Sequence, residues 1–232
     1  MAFERASGRK VNEPRAMEAK AGVIKNADGS AMFKMGDTIA YAAVYGPRDL
    51  YPKFMQNPKK GILRCNYNMM PFSGSGERVR PGQNRRAKEI SMVTEKALLP
   101  VLELEDFPNA VVDVYVELPQ TDAGSRCAGI CAAAIALADA GLVMKDMIAA
   151  VSVGNLDGNI VVDLDKDEED FEGPVADIPV AIIPSTGQIT LLQMDGEITP
   201  EKLVKALELA QETCMRINEV QRKALKDKYA GE

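Results

Sequence analysis

The sequence predicts an α+β fold, with mixed sheets packed against helices. Short runs of alternating apolar and polar residues, typical of strands, are separated by turn signals. Three longer runs repeat apolar residues at helical spacing. The segments follow the order strands, helix, strand, helix, strands, helix, which favours α+β over a regular βαβ arrangement. We expect one compact domain over residues 1–232, built of two related halves.

The first part of the chain predicts strands joined by tight turns. Residues 17–24 and 30–35 flank the sequence NADG at 26–29, which is a good hairpin signal. Residues 38–45 follow a further Gly-containing turn. Residues 63–69 alternate apolar and polar side chains, as a half-buried strand does.

The middle of the chain predicts a helix, a strand and a second helix. Residues 86–99 have apolar side chains at helical spacing, and residues 110–118 alternate as a strand. Residues 125–140 are rich in alanine and stop at Gly141. Glycine favours a helix end because it tolerates a left-handed backbone.

The last part of the chain predicts further strands and a long helix. Four strands are expected, at residues 148–155, 159–163, 178–183 and 188–194. Thr199 is the predicted N-cap of the final helix, Pro200 suits its first position, and apolar residues recur to about residue 225.

Composition limits the chemistry that this protein can perform. The 232 residues are 46% apolar, enough for a proper core, and include no histidine. Ser-His catalysis, Cys-His catalysis and imidazole metal sites are therefore excluded. The cysteines form no C-x-x-C pairs, so we expect reduced, buried thiols and no structural zinc. They are Cys65, Cys127, Cys131 and Cys214.

Location and charge give further expectations. No apolar run approaches the roughly 20 residues of a membrane span, and the first 15 residues lack an apolar signal core. We therefore expect a cytoplasmic protein with no membrane partner.

The net charge of −6 argues against nucleic acid, but basic and acidic residues cluster in separate segments. Such local patches are what polyanions and cations meet.

An anion-binding turn is predicted at residues 120–126 (QTDAGSR), between a strand and a helix. Gly124 and Ser125 at the helix start leave backbone N–H groups free, and the helix dipole favours an anion there. Arg126 adds a forked donor that suits phosphate. The same pattern also fits an ordinary Ser N-cap beside a solvated arginine.

An acidic segment is the second candidate site. Carboxylates next to an anion site could hold Mg²⁺ or supply a general acid, although a solvated turn has the same composition. Asp177 stands out, because aspartate is unfavourable in strands. The acidic residues are Asp163, Asp165, Asp167, Glu168, Glu169, Asp170, Glu172 and Asp177.

A basic cluster around the start of the helix at 86–99 is the third candidate. Cations such as Arg85 and Arg86 oppose the dipole at a helix N-terminus, which hints at a partner anion such as RNA phosphate. A solvated face is the alternative. Tyr67 and Phe72 could stack on bases or pack in the core. The cluster also contains Arg78, Arg80 and Lys88.

Seven segments of the chain, taken in order, form a pattern that is more specific than any one of them. The segments are residues 8–15 (GRKVNEPR), 36–38 (GDT), 67–72 (YNMMPF), 84–90 (NRRAKEI), 120–126 (QTDAGSR), 169–170 (ED) and 177–180 (DIPV). Together they resemble the RNase-PH-type phosphorolytic exoribonucleases, a family that contains RNase PH, polynucleotide phosphorylase and the exosome ring subunits. The resemblance covers nearly the whole chain and implies an RNase PH-like fold, of the ribosomal protein S5 domain 2-like type.

The resemblance also implies a role for each site residue. The residues implied to bind the attacking phosphate are Gly124, Ser125 and Arg126. The residues implied to bind RNA are Arg85, Arg86, Arg64 and Tyr67. Asp177 and Asp170 would be the catalytic carboxylates and the metal ligands, and the roles of general acid and metal ligand both stay open for Asp177.

The implied activity is phosphorolytic 3′-to-5′ exoribonuclease action, which releases nucleoside diphosphates from single-stranded RNA and can run in reverse as 3′-tailing. Mg²⁺ or Mn²⁺ is the implied cofactor and inorganic phosphate the co-substrate. Because phosphate is already largely ionised near neutral pH, no histidine base is needed. The implied partners are an inactive RNase-PH-like sister subunit, in a hexameric ring that is a trimer of heterodimers, and RNA-binding cap subunits.

Three alternatives stay open. The chain could be a non-catalytic ring subunit, or a homohexameric RNase PH that trims tRNA 3′ ends. A small-molecule kinase on a related α+β fold would need a longer glycine-rich loop than GSG at residues 74–76.

Overall fold

The computed structural model describes residues 5–76, 79, 80, 82 and 84–230. Arg78 of the predicted basic cluster lies outside the described residues. Across the described ranges, two five-stranded sheets are packed with four helices, and the α+β prediction is confirmed. Nowhere in this part of the chain is a helix both long enough and apolar enough to cross a membrane.

The first sheet comes from the first half of the chain. Its strands are β1 (Met17–Ala21), β2 (Gly29–Met35), β3 (Thr38–Asp49), β4 (Ile62–Met69) and β5 (Ala110–Gln120). They lie in the order β1-β2-β3-β5-β4, and only β4 and β5 are parallel neighbours. The tight turn between β2 and β3 needs a positive φ, which Gly36 supplies at 58°.

The second sheet comes from the second half. Its strands are β6 (Ala149–Leu156), β7 (Asn159–Val162), β8 (Val175–Ile183), β9 (Gln188–Leu192) and β10 (Asp195–Gly196). The central β8 pairs antiparallel with β6, with β9 and with β10. This pairing sets Asp177 of β8 directly opposite Asp195 of β10.

The helices lie between and beside the sheets. They are α1 (Arg85–Leu98), α2 (Ser125–Asp139), α3 (Lys166–Glu169) and α4 (Pro200–Tyr229). α2 is buried along nearly its whole length, because its small apolar side chains allow it to contact β2 and β3 on one side and β6 on the other. Its buried N-terminus is thus a fixed point between the two sheets.

One hydrophobic core joins the two halves. Phe33 and Val114 of the first sheet, Ile135 of α2, Val151 of the second sheet and Ile217 of α4 belong to the same cluster of buried side chains. The four cysteines are free and buried, as predicted.

The structure differs from the sequence predictions in a few places. The acidic loop contains the short helix α3, which begins with a capping box between Asp165 and Glu168. Thr199 is the N-cap of α4, but its side chain makes no capping hydrogen bond. β10 was not predicted, because a two-residue strand carries no periodic pattern.

Candidate active site

The turn that was predicted to bind an anion lies at the N-terminus of α2. Gly124 adopts a left-handed backbone with φ 60° and leads directly into Ser125, the first helical residue. The hydroxyl of Tyr67, on β4, donates a hydrogen bond to Ser125 Oγ over 2.9 Å. Because Oγ accepts this bond, the Ser125 hydroxyl keeps its own hydrogen available for an anion.

Two cavities meet beside this turn. The larger, of about 560 Å³, is called the carboxylate cleft; it is lined by Arg86, Arg126, Glu169, Asp170, Asp177 and Asp195, among others. The smaller, of about 170 Å³, is called the turn pocket, and Gly124, Ser125, Thr121 and Lys166 line it. Arg86 and Glu169 line both cavities. The structure therefore brings the predicted phosphate-binding residues next to the predicted carboxylates.

Asp177 lies half-buried on β8 and faces the carboxylate cleft. Burial raises the pKa of Asp177 above its ordinary value, and the carboxylate of Asp195 raises it further. The hydrogen bond donated by the Ser152 hydroxyl, together with Arg126 and Arg86, offsets part of this rise. A carboxyl group with a raised pKa is suited to hold a proton and donate it.

The two neighbouring acids Glu169 and Asp170 differ in their surroundings. Glu169 is half-buried and lines both cavities, and burial followed by repulsion from Asp177 raises its pKa. Asp170 lines only the carboxylate cleft of the two, and its exposed side chain pairs with Lys166 over 2.5 Å. Both acids are thus near Asp177, but Glu169 is the more enclosed.

Arg126 is held in place across the cleft by side chains from two other elements. Its guanidinium donates a hydrogen bond to the Gln193 side-chain oxygen, and Gln193 in turn donates to Glu89 over 3.0 Å. Glu89 also approaches Arg126 at 4.0 Å. These contacts fix the arginine where it faces the cleft.

The predicted RNA-binding residues are divided between places. Arg86 lies in the site, whereas the exposed Arg85 lines neither cavity. Arg64 pairs with the buried Asp113, with Nε 2.7 Å from the carboxylate, on the face of the first sheet that points away from α2. Tyr67 is only 3% exposed, which leaves little of its ring for stacking on a base.

The described side chains could supply only some of the ligands of a metal ion. Among the residues the structure describes, no group of three or more His, Cys, Asp or Glu side chains could hold an ion. Asp177 and Asp170 nevertheless line the same cleft. Mg²⁺ is often bound by one or two carboxylates, with water and substrate phosphates completing its shell, so this pair fits that mode.

Several residues of the site were not assigned a role from the sequence. Glu169, Gln193 and Asp195 line the cleft, and Ser152 contacts Asp177 from β6. The capping-box pattern of Asp165 and Glu168 could have predicted the short helix α3. On a helix, consecutive residues such as 169 and 170 point in different directions. No sequence signal marks the others, because their proximity arises from the pairing of distant strands.

Comparison with known proteins gives a consistent result. The model of the RNase PH family, described as 3′ exoribonuclease family domain 1, matches residues 13–143, and that for domain 2 matches residues 146–213. The exosome complex component Rrp41 of Thermococcus gammatolerans is 51% identical over 97% of this chain and 89% of its own length. The protein of the same name from Methanopyrus kandleri is 46% identical, over 98% of this chain and 94% of its own.

A solved structure agrees with these sequence matches. The crystal structure of rice Rrp46 superposes with a TM-score of 0.84 at 26% identity, covering 96% of this chain and 100% of the rice chain. The predicted RNase PH-like fold is thereby confirmed. From the two family matches, the near-complete overlap with the relatives and the shared fold, we conclude that this chain belongs to the RNase PH family of 3′ exoribonucleases.

Proposed function

We propose that this chain is the catalytic subunit of an exosome ring, where it shortens single-stranded RNA from the 3′ end by phosphorolysis. The observation that carries the proposal is the meeting of the anion-binding turn at Ser125 with the cleft that contains Asp177, with Arg86 lining both cavities. The name of the relatives, exosome complex component, supports the assembly.

In this proposal the turn binds the attacking phosphate. Gly124 allows the backbone to bend so that the free N–H groups of α2 point into the turn pocket. Ser125 donates its hydroxyl hydrogen, while Arg86 and Arg126 screen the charge of two approaching anions. These groups act on phosphate without needing a histidine.

Asp177 is proposed to supply the proton that the leaving group needs. A phosphate oxygen forms a bond to the terminal phosphorus as the bond from that phosphorus to the 3′ oxygen breaks. Asp177 gives its proton to that oxygen, and the products are a nucleoside diphosphate and a shortened RNA. Because phosphate and not water accepts the nucleotidyl group, hydrolase is the wrong class for this reaction. The reverse reaction is 3′-tailing from nucleoside diphosphates.

The charge of the cleft favours a divalent cation. Its lining contains five carboxylates and two guanidiniums, an unfavourable balance for an RNA end and a phosphate ion. We propose that Asp170 holds Mg²⁺ or Mn²⁺ in the cleft and that Asp177 becomes a second ligand once it has given up its proton, because a carboxylate binds a metal ion only when it is ionised. The ion would supply positive charge to the substrate phosphates. Protein residues alone provide the acid and the phosphate-binding groups.

RNA binding is proposed to involve Arg85 and Arg64 as well as Arg86 and Tyr67. Arg85 is exposed at the start of α1, beside the site. Arg64 lies near the loop before β4, where Tyr51 and Phe54 are 64% and 87% exposed. Exposed aromatic rings near cations are typical of surfaces that bind single-stranded nucleic acid.

The proposed assembly has the partners that the resemblance implies. We propose a hexameric ring, a trimer of heterodimers with an inactive RNase-PH-like sister subunit, bearing RNA-binding cap subunits. We also propose that the whole chain folds as one domain, which the shared core supports. Four free, buried cysteines suit a reducing compartment, and we propose a cytoplasmic location.

A degradation assay tests the proposal. The chain, co-purified with its sister subunit, is given Mg²⁺ and a 5′-labelled single-stranded RNA, with and without inorganic phosphate, beside an Asp177→Ala variant. We expect shortening that needs phosphate, yields nucleoside diphosphates and is lost in the variant. Shortening without phosphate, giving monophosphates, would mean hydrolysis. Phosphate-dependent shortening that survives Asp177→Ala would move the active site to another residue or to another subunit, and in the second case this chain would be a scaffold.

A further inference from the structure

A buried ion pair anchors Arg15, a residue of the N-terminal motif at 8–15, beneath the site. Its backbone N–H and its Nε donate to Asp163 Oδ2 over 2.7 and 2.9 Å, and its Nη2 donates to Asp163 Oδ1 over 2.7 Å. The side chain of Arg15 is 7% exposed and that of Asp163 is fully buried. The guanidinium therefore has one fixed position.

From this position Arg15 contacts the phosphate-binding turn, defined as residues 122–125. Its Nη1 donates to the backbone oxygen of Asp122 and lies 3.2 Å from the Asp122 carboxylate. Its Nη2 would lie 3.2 Å from a Cβ placed on Gly124. The guanidinium thus packs directly against the backbone of Gly124.

The motif at 36–38 supports the same turn. Gly36 leaves room for the aliphatic part of Arg15, because a Cβ at position 36 would clash with the Cδ of Arg15. The Thr38 hydroxyl donates toward the backbone oxygens of Asp122 and Ala123, over 2.9 and 2.7 Å, and accepts from the Asp122 N–H over 2.8 Å. Two segments distant in sequence therefore hold the turn.

The turn has a backbone conformation that requires such support. Ala123 has φ 54°, in the left-handed region that L residues rarely adopt, and Gly124 follows with φ 60°. Asp163, on the other side of Arg15, also has a left-handed backbone at φ 55°. Residues in this region persist where their surroundings hold them, and they cluster at functional sites.

Arg15 also balances charge beneath the turn. Asp122 and Asp163 bring two carboxylates close to the place proposed for phosphate, and both are ion-paired with Arg15. If the guanidinium were lost or moved, Asp122 would lose its ion pair with Arg15 and Asp163 would keep its longer pair with Arg9, at 3.6 Å, so the bound phosphate would meet more negative charge.

We propose that Arg15 is a positioning residue, which together with Thr38 holds the turn at residues 122–125 in its phosphate-binding conformation. The inference rests on the proposed function, since it names what stabilises the phosphate site. It gives a role to Arg15 of the motif at 8–15 and to Gly36 and Thr38 of the motif at 36–38, none of which lines the carboxylate cleft or the turn pocket.

The test measures the KM for phosphate and the affinity for RNA separately, on the ring with its sister subunit. Arg15→Lys keeps the charge but cannot bridge Asp163 and Asp122 with a planar fork. Thr38→Val removes only the hydroxyl and keeps the shape, so it tests the turn if Arg15→Lys does not fold. Arg222→Lys is the matched control, since Arg222 pairs with Asp146 over 2.9 Å and lines neither cavity.

We expect the KM for phosphate to rise about tenfold in Arg15→Lys and several-fold in Thr38→Val, because hydrogen bonds to charged groups are lost in one and neutral ones in the other. The dissociation constant for RNA, measured without phosphate, should change less than about twofold, as should both quantities in the control. Folded Arg15→Lys and Thr38→Val rings with an unchanged KM for phosphate would overturn the inference. A loss of RNA affinity in these variants as large as the rise in the KM for phosphate would also overturn it. A wild-type ring that needs no phosphate would instead refute the proposed function.

Discussion

Tyr67 donates a hydrogen bond to Ser125, and replacing Tyr67 with Phe removes this donor while keeping the ring. The two oxygens are 2.9 Å apart, and both residues are buried, with 3% and 7% exposure. Without the phenol, Ser125 Oγ loses the partner that leaves its own hydrogen free for phosphate. The hydroxyl is then free to rotate away from the turn pocket.

The magnitude follows from the loss of one buried, neutral hydrogen bond. Such a bond contributes about 1 kcal/mol to the free energy of unfolding, so the melting temperature should fall by about 2–4 °C in a chain of this length. If about the same free energy is lost from phosphate binding, the KM for phosphate rises roughly fivefold.

The assay is a double-mutant cycle on the ring, with phosphate titrated at saturating RNA. Tyr67→Phe, Ser125→Ala and the double variant are compared with wild type. We expect the double variant to have the same KM for phosphate as Ser125→Ala alone, since the phenol acts through the serine. A Tyr67→Leu variant, which removes the ring, serves to measure any stacking on a base.

Two results would refute this reasoning. One is a folded Tyr67→Phe ring whose KM for phosphate equals that of the wild type. The other is an additive cycle, which would mean that the two residues act independently. If Tyr67→Leu weakens RNA binding while Tyr67→Phe does not affect phosphate, Tyr67 acts by stacking on RNA.

Three further predictions concern the turn, acid stability and the metal. Gly124→Ala should lower the free energy of unfolding by about 1–2 kcal/mol, because a Cβ is strained at φ 60°, and should raise the KM for phosphate; thermal melts and phosphate titrations check both. Burial alone would raise the pKa of Asp113, but hydrogen bonds from Arg64 and Arg48 outweigh it and hold the pKa below the ordinary value of an aspartate. This contribution to stability is present above the pKa that Asp113 has in the unfolded chain and is lost as the pH falls through its lower folded-state pKa. Asp113→Asn should therefore destabilise the chain less in acid than at neutral pH, as measured by urea titrations. Chelation by EDTA should abolish RNA shortening without changing the melting temperature, since the described residues hold no metal cluster of their own; a large fall in melting temperature would contradict this.

The sequence was most informative where periodicity and turn chemistry act locally. The alanine-rich segment predicted at 125–140 forms α2 (Ser125–Asp139), and Gly141 follows it with a positive φ of 76°. The strand predicted at 63–69 forms β4 (Ile62–Met69), in which buried residues alternate with half-buried ones up to residue 68. The Gly-Ser junction at the start of α2 indicated the anion-binding turn, because a helix N-terminus has free N–H groups in any fold.

Long-range pairing explains what the sequence could not provide. Asp195 faces Asp177 only because β10 pairs with β8, and Gln193 reaches Arg126 across the cleft from the segment after β9. Arg64 and Tyr67 are three residues apart on one strand, so they lie on opposite faces of the sheet. Tyr67 therefore reaches Ser125, while Arg64 points away from it.

The division of the site between the two halves of the chain bears on how such a protein can change over evolutionary time. The turn at Ser125 lies within the first family match, Asp177 lies within the second, and the hydrophobic core joins both. Asp177, the proposed proton donor, is half-buried and lines the cleft, so its replacement would remove that donor while leaving the core intact. After gene duplication, one copy could lose catalysis in a single step and still be retained for its architecture.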